Sequence, residues 1–327
     1  MKIESNLIKE KGKEKLQDKY EEIYRDSDVW LYKRSNGIHS VIYNHIKGKI
    51  NNKNVLDVGC GAGRLSIMMG FVANFVDAFD FSECAISIAK KNAECCGVRN
   101  VNFFIDEIEK FLPKDGKKYD LITLVGVIEH VKDPKAVLTK FGNLLKNHGN
   151  LIVSCPNFLN FRGDSYMTLL SLFGLPMSLA DLRQIDYTNI KDWAETTGFE
   201  LEKTVGAIYN SSWGEKAVKD MIKRVPLAVQ DKQLKIELDY SYYNSWLESR
   251  IESNRMLLDF LEENGFLKRI TKQVEMNFSN VDNIEKKLWS KMFEYINEDI
   301  EGDPYYSDVT PINYIGGECI YFLKLRG

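Results

Sequence analysis

Histidine and proline are scarce in this chain, with four and seven among 327 residues, and no residue type is abundant enough to suggest a fibre or a low-complexity array. The six cysteines, Cys60, Cys84, Cys95, Cys96, Cys155 and Cys319, form no CxxC pair and no Cys/His zinc spacing. That argues against a disulfide framework and a zinc finger, and for reduced thiols. An excess of one charge sign is also missing: 44 basic against 47 acidic residues give a net charge of −3. Electrostatics therefore make no case for nucleic acid as a partner. No apolar run approaches the roughly 20 residues of a membrane helix. The opening stretch, MKIESNLIKEKGKEK, lacks the apolar core of a secretory signal. A cytoplasmic protein is expected. What is present, 44% hydrophobic and 28% charged residues, suffices for a packed core and excludes a disordered chain.

The first fifty residues are polar and helix-prone, with aromatic spots at Tyr20, Tyr24, Trp30, Tyr32 and Tyr43. From Asn54 short apolar runs alternate with amphipathic stretches: Val55–Val58, Phe75–Phe79, Val101–Ile105, Leu121–Val125 and Leu151–Ser154 read as strands. The helices between them are punctuated. One runs from Ser82 to Cys96 and stops at Gly97, and one runs from Pro134 to Asn147 and stops at Gly149. Asp133 ahead of Pro134 is a good helix start, because Asp accepts an orphan N–H and Pro at the first position loses none. Such alternation predicts βαβ units and a parallel sheet covered on both faces. Farther on, a helix over Thr188–Thr197 precedes a strand over Phe199–Val205, and Cys319–Leu325 reads as the last strand. Two charged helices are expected between those strands. One ends at Asn264-Gly265 and carries Leu247, Ile251, Leu258 and Leu261; the other, from Asp282 to Gly302, carries Ile284, Leu288, Met292, Ile296 and Ile300.

The most informative stretch is NVLDVGCGAGRL, Asn54 to Leu65. A strand runs into Gly59, Gly61 and Gly63, and a helix begins near Arg64. Glycines allow a sharp turn and close approach of a ligand to the main chain, and the helix start offers N–H groups to an anion. The spacing is GxGxG, not the GxGxxG of dinucleotide binders. Asp80 closes the second strand and Asp106 the third, both at the carboxyl edge where open α/β sheets bind ligands. A carboxylate at Asp80 is suited to accept hydrogen bonds from ribose hydroxyls.

Over Asn54 to Val205 the chain resembles the class I S-adenosylmethionine-dependent methyltransferases, with VLDVGCGAG (Val55–Gly63) similar to their first motif. The resemblance implies an α/β, doubly wound, mostly parallel seven-stranded sheet of Rossmann-like type. N-terminal helices precede it, and a helical insertion comes before the last strand. It implies an enzyme of the EC 2.1.1 class with S-adenosyl-L-methionine as cofactor, and a set of site residues. Asp57, Gly59, Cys60, Gly61 and Gly63 would form the methionine-side turn, and Asp80 would bind the ribose. Phe81 would pack on adenine, with a core role as its alternative, and Asp106 would accept from the adenine amino group. The carbonyl of Val125 or Gly126 would lie beside the methionine. YDLITLVGVIEHVKDPKAVL (Tyr119–Leu138) and HGNLIVSCPN (His148–Asn157) are similar to the quinone-biosynthesis O-methyltransferases, which carry a Glu-His pair, here Glu129-His130. Metal-binding relatives place a second carboxylate where this chain has Gly126, and a further His is absent, with Asp181, Gln184 and Asp186 in the vicinity; no metal is expected, a metal held by Glu129 and His130 with water being the alternative.

These features divide the chain into an N-terminal helical lid (1–50), a cofactor-binding core (51–210) with a substrate flap (157–187), a helical insertion for substrate or dimer contacts (211–304), and the last strand (305–327). The flap corresponds to an apolar element of the quinone enzymes, and a buried cap helix is the alternative reading. Among His39, His45, His130 and His148, only His130 follows a central strand at its carboxyl end, making it the candidate base, with Glu129 beside it; a purely structural His130 is the rival. Expected partners are a small-molecule acceptor, with a homodimer or peripheral membrane contact as open alternatives. O-methylation leads. N- or C-methylation of a natural product, sugar or protein, and a cofactor-binding module without turnover, remain alternatives.

Overall fold

The computed structural model describes residues 21, 24, 37–113, 116–173, 184–231, 239–269 and 305–327. The expected helix from Asp282 to Gly302 lies outside the described residues, as do most of 1–36 and residues 174–183 of the expected flap.

Alternation of strand and helix builds the core in chain order. Helix α1 (Gly37–Ile46) is followed by β1 (Asn54–Val58), α2 (Arg64–Gly70), β2 (Phe75–Asp80), α3 (Glu83–Cys95), β3 (Val101–Ile105) and β4 (Tyr119–Val125). A single turn over Ile128–His130 leads to α4 (Pro134–Gly142), β5 (Leu145–Pro156), α5 (Phe161–Phe173), α6 (Tyr187–Thr196) and β6 (Phe199–Ala207). Then come α7 (Asn210–Trp213), α8 (Glu215–Asp231), α9 (Tyr240–Glu263), β7 (Lys268–Arg269), β8 (Tyr305–Ser307) and β9 (Glu318–Leu325).

The described strands form one sheet in the order β3-β2-β1-β4-β5-β9-β6-β8-β7. Strands β1 to β5 pair in parallel, and β9 runs antiparallel between β5 and β6. The seven expected strands are all present, and the short β7 and β8 extend the β6 edge. Successive residues feed opposite faces. Val55, Val76, Leu121 and Ile152 pack with Ile42 and Ile46 of α1 and Leu65 and Met69 of α2. Leu56, Ile122, Leu151 and Val153 pack with Phe141 of α4 and Ile190 of α6. Burial on both faces is why these strands read as continuous apolar runs.

The helix starts follow their caps. Ser82 accepts from Ala85 N at α3, Asp133 accepts from Ala136 N at α4, and Asp186 and Asn189 form a reciprocal box at α6. Helix α4 is shorter than its sequence suggests: it ends at Gly142, because Leu145 pairs with Tyr119 and opens β5 early. His148, expected in a turn, sits exposed within β5 with φ 60°.

Helix α5 is tied to α8 by one carboxylate. Arg162 Nε and Nη2 donate to Asp220 Oδ2 at 3.0 and 2.6 Å, and the Tyr166 hydroxyl donates to the same oxygen at 2.6 Å. Arg224 Nε donates to Oδ1 at 2.7 Å. An apolar cluster of Tyr166, Val218, Met221 and Leu247 underlies this node. Asp220→Ala is expected to lower the unfolding free energy by about 1–2 kcal/mol, since the node is only half-buried; urea denaturation measures the loss, and proteolysis within α5 should accelerate.

Candidate active site at the carboxyl edge of the sheet

Strand order reverses between β1 and β4, which opens a crevice at the carboxyl ends of these strands. Every residue expected in the site lies along that edge: Asp57 near the end of β1, Gly59 to Gly63 in the next turn, Asp80 at the last position of β2, Phe81 after it and Asp106 after β3. Val125 ends β4, Gly126 follows, and Glu129 and His130 occupy the short turn beyond.

Gly59, Gly61 and Gly63 have φ of 68°, 51° and 80°, in the left-handed region that side chains disfavour. A Cβ on Gly59 would stand 2.5 Å from Val127 Cγ2, so the turn after β1 and the loop after β4 touch directly. A Cβ on Gly61 would meet the Tyr24 hydroxyl at 2.6 Å. The turn uses most of its own N–H groups: Gly59 N and Cys60 N donate to Phe79 O, Gly63 N donates to Cys60 O, and Gly61 N donates to Asp80 Oδ2 at 2.9 Å. What it presents to a ligand is bare backbone surface rather than a row of unpaired amides.

Beneath the turn lies Asp57, buried and doubly bonded. Ser66 Oγ donates to its Oδ2 at 2.5 Å and Thr123 Oγ1 to its Oδ1 at 2.6 Å. Burial outweighs these bonds and pushes the carboxyl up to about 6. Asp80 is also buried and raised by desolvation, although Ser82 N and Gly61 N donate to it. Burial, reinforced by Asp80 and Asp57, holds the Cys60 thiol well above its usual range, so it is no nucleophile at neutral pH. Asp106 Oδ1 accepts from Glu107 N at 2.7 Å, and Asp106 N donates to Asp80 O at 3.1 Å, which joins the two acids along the edge.

Glu129 is 3% exposed, and its Oε1 stands 3.9 Å from His130 Nε2, an ion-pair distance too long for a hydrogen bond. Three features of this edge carried no sequence signal. Glu21 accepts from Glu83 N and Cys84 N at 2.9 and 3.4 Å at the start of α3. Tyr24, visible in the sequence only as an aromatic spot, stands against Gly61. Ser154 and Glu318 meet near the ends of β5 and β9 at 3.0 Å. No group of three or more His, Cys, Asp or Glu suited to a metal occurs among the described residues.

The sequence pattern of the methyltransferase domain family matches residues 49–224, more than half of the chain. The chain belongs to the class I S-adenosylmethionine-dependent methyltransferases. It is 34% identical over 165 residues to a ubiquinone biosynthesis O-methyltransferase of Coxiella burnetii (strain Dugway 5J108-111), covering 49% of this chain and 69% of that protein. A protein of the same description from Glaesserella parasuis serovar 5 is 30% identical over 179 residues, 51% of this chain and 74% of its own. Among solved structures, a candidate methyltransferase from Bacillus halodurans C-125 superposes with a TM-score of 0.50 at 15% identity. That likeness covers 88% of this chain and 99% of the other, and it concerns the fold. The enzyme is thus a methyltransferase that uses S-adenosylmethionine and requires a methyl acceptor. No helix among the described residues is long and apolar enough to cross a membrane.

The cofactor fits the residues present. The glycine turn leaves main-chain surface where side chains would intrude, and the buried Asp80 beside it offers a carboxylate at the second strand end.

Asp57 sets a pH dependence of stability for this methyltransferase. Its pKa is about 6 in the fold, against 3.8 for a free side chain. Its contribution is therefore fully present below about pH 4 and is lost as pH rises through about 6. Thermal melts from pH 4 to pH 8 should show the wild type losing stability relative to Asp57→Asn as pH rises, by up to about 3 kcal/mol. A difference that stays flat across this range contradicts the assignment.

Proposed function

We propose that the enzyme methylates a hydroxyl oxygen of a small-molecule acceptor, with His130 as the base. One observation carries the reading: His130 stands on the turn just past Gly126 at the carboxyl end of β4, with a side chain 16% exposed. The other three histidines lie elsewhere, His39 and His45 on α1 and His148 exposed in β5. Burial, helped by the nearby Arg64 charge, pushes His39 down to about 3, which leaves it without buffering power near neutrality. The relatives described as O-methyltransferases support the choice of oxygen.

S-adenosylmethionine supplies an electrophilic methyl group on a sulfonium. The chain's own residues hold, align and take up a proton. In this reading Asp57 braces the turn, Gly59 to Gly63 lie against the methionine side, Asp80 accepts from the ribose, and Phe81 and Asp106 serve the adenine. Val125 and Gly126 border the reacting end. His130 accepts the hydroxyl proton at a ring nitrogen as the oxygen bonds to the methyl carbon, with Glu129 Oε1 3.9 Å from its Nε2. Alignment of this kind contributes roughly 7–11 kcal/mol to lowering a barrier. Glu21 and Tyr24 stand at the rim beside the start of α3 and Gly61, and α5 fits a wall of the acceptor pocket.

Two measurements test this. Asp80→Ala should weaken cofactor binding by calorimetry at least about tenfold, as loss of charged hydrogen bonds does; unchanged affinity removes Asp80 from the site. With an acceptor found by screening for S-adenosylhomocysteine release, His130→Ala should lower kcat by about 10²–10⁴. A variant as active as the wild type would indicate an acceptor that needs no base, such as an amine.

A further inference from the structure

Strand β9 comes from the far end of the chain, yet its first residue reaches the cofactor edge. Glu318 opposes Pro156 in the antiparallel pair β5/β9, and Ser154 Oγ donates to Glu318 Oε1 at 3.0 Å. The same Ser154 Oγ accepts from Gly126 N at 3.2 Å. A chain of two hydrogen bonds thus runs from the Glu318 carboxylate to the residue after β4. The buried Glu129 is also close to Gly126: its Oε1 lies 3.8 Å from where a Cβ on Gly126 would be. Two carboxylates therefore bear on Gly126, Glu129 directly and Glu318 through Ser154.

The approach of β9 is held rigidly. Asn157 Nδ2 donates to Gly316 O at 2.7 Å, Asn157 N donates to Gly317 O at 3.0 Å, and Trp213 Nε1 donates to Ile315 O at 2.9 Å. Glu318 is fixed relative to β5 by main chain on both sides of it, so its carboxylate is built into the edge rather than swinging freely in solvent.

We propose that Glu318 makes the site discriminate between the charged cofactor and its neutral product, by adding negative potential to the Gly126 loop while propping that loop through Ser154. The inference rests on the reading of Gly126 as a neighbour of the sulfonium. The electrostatics are simple. Before transfer the sulfur carries a positive charge; when the acceptor oxygen bonds to the methyl carbon, the carbon–sulfur electron pair stays on sulfur and the charge is gone. A carboxylate at this edge attracts the first form and has no ionic hold on the second, and in a partly desolvated cleft such attraction is little screened. Glu318 thereby promotes exchange of product for fresh cofactor. It is a positioning and charge-setting residue, and it takes no proton from the acceptor.

The Glu318→Gln variant isolates the charge, because the amide oxygen still accepts from Ser154. Calorimetric titrations of S-adenosylmethionine and S-adenosylhomocysteine give the ratio of their affinities. The expected result is a shift of that ratio by about tenfold against S-adenosylmethionine, with product affinity little changed, the size of effect one nearby charge exerts. Ser154→Ala keeps the charge and removes the side-chain half of the prop, leaving the Gly126 N bond to Ser154 O, so any change should fall on both affinities together. Equal shifts for both ligands in Glu318→Gln, or no shift, overturn the proposal. If the wild type binds neither ligand, the cofactor-site reading itself fails, a separate outcome.

Discussion

The carboxyl of Asp57, buried with a hydroxyl on each oxygen, is the constraint on which the site depends. Ser66 brings α2 to it and Thr123 brings β4, so three elements meet at one side chain below the glycine turn. Placing a carboxylate there is costly, as its raised pKa records. In return the strand end, the helix start and the adjacent strand are locked in one arrangement. The turn above it then needs little further support: its amides close on Phe79 O, Cys60 O and Asp80. The edge is preorganised, since the turn's main-chain surface is set by bonds within the protein itself.

Much of this architecture was legible in the sequence because its signals are local. The strand over Val101–Ile105 begins and ends where its apolar run does, and Ser82, Asp133 and Gly97 mark helix ends through bonds to near neighbours. The acids at 57, 80 and 106 come together because each sits at or near a strand's carboxyl end, and strand ends can be read from punctuation. Bonds between distant residues left no such trace. Thr123 and Asp57 are 66 positions apart, and Ser154 and Glu318 are 164 apart. Nothing in either neighbourhood marks the partner. The end of α4 was misjudged for the same reason: Leu145 looks helical in its local pattern, and pairing with Tyr119 overrides that preference.

The elements after β6 are tied back to earlier parts of the chain. Helices α8 and α9 hold α5 through the Asp220 node and the cluster around Tyr166 and Leu247, so α5 rests on residues that come later in the chain. A second cluster, with Tyr209, Leu258, Leu261 and Tyr305, joins α9 to the extended sheet edge, and the Tyr209 hydroxyl donates to Ile312 O at 2.7 Å. The family pattern ends at residue 224, inside α8, so α9 and strands β7 to β9 lie beyond it.

Placing β9 between β5 and β6 also has a kinetic consequence during synthesis. Strand β6 has no sheet neighbour toward the core until residues 318–325 have left the ribosome and threaded into the gap. Until then the facing edges of β5 and β6 carry unpaired backbone groups, the kind of exposed surface through which nascent chains associate wrongly. Closure joins segments separated by well over a hundred positions, so it belongs to the slow, nonlocal events of folding. A ribosome-bound chain lacking this strand has the glycine turn and the strand-end acids already synthesised, but not the partner that completes the sheet around them.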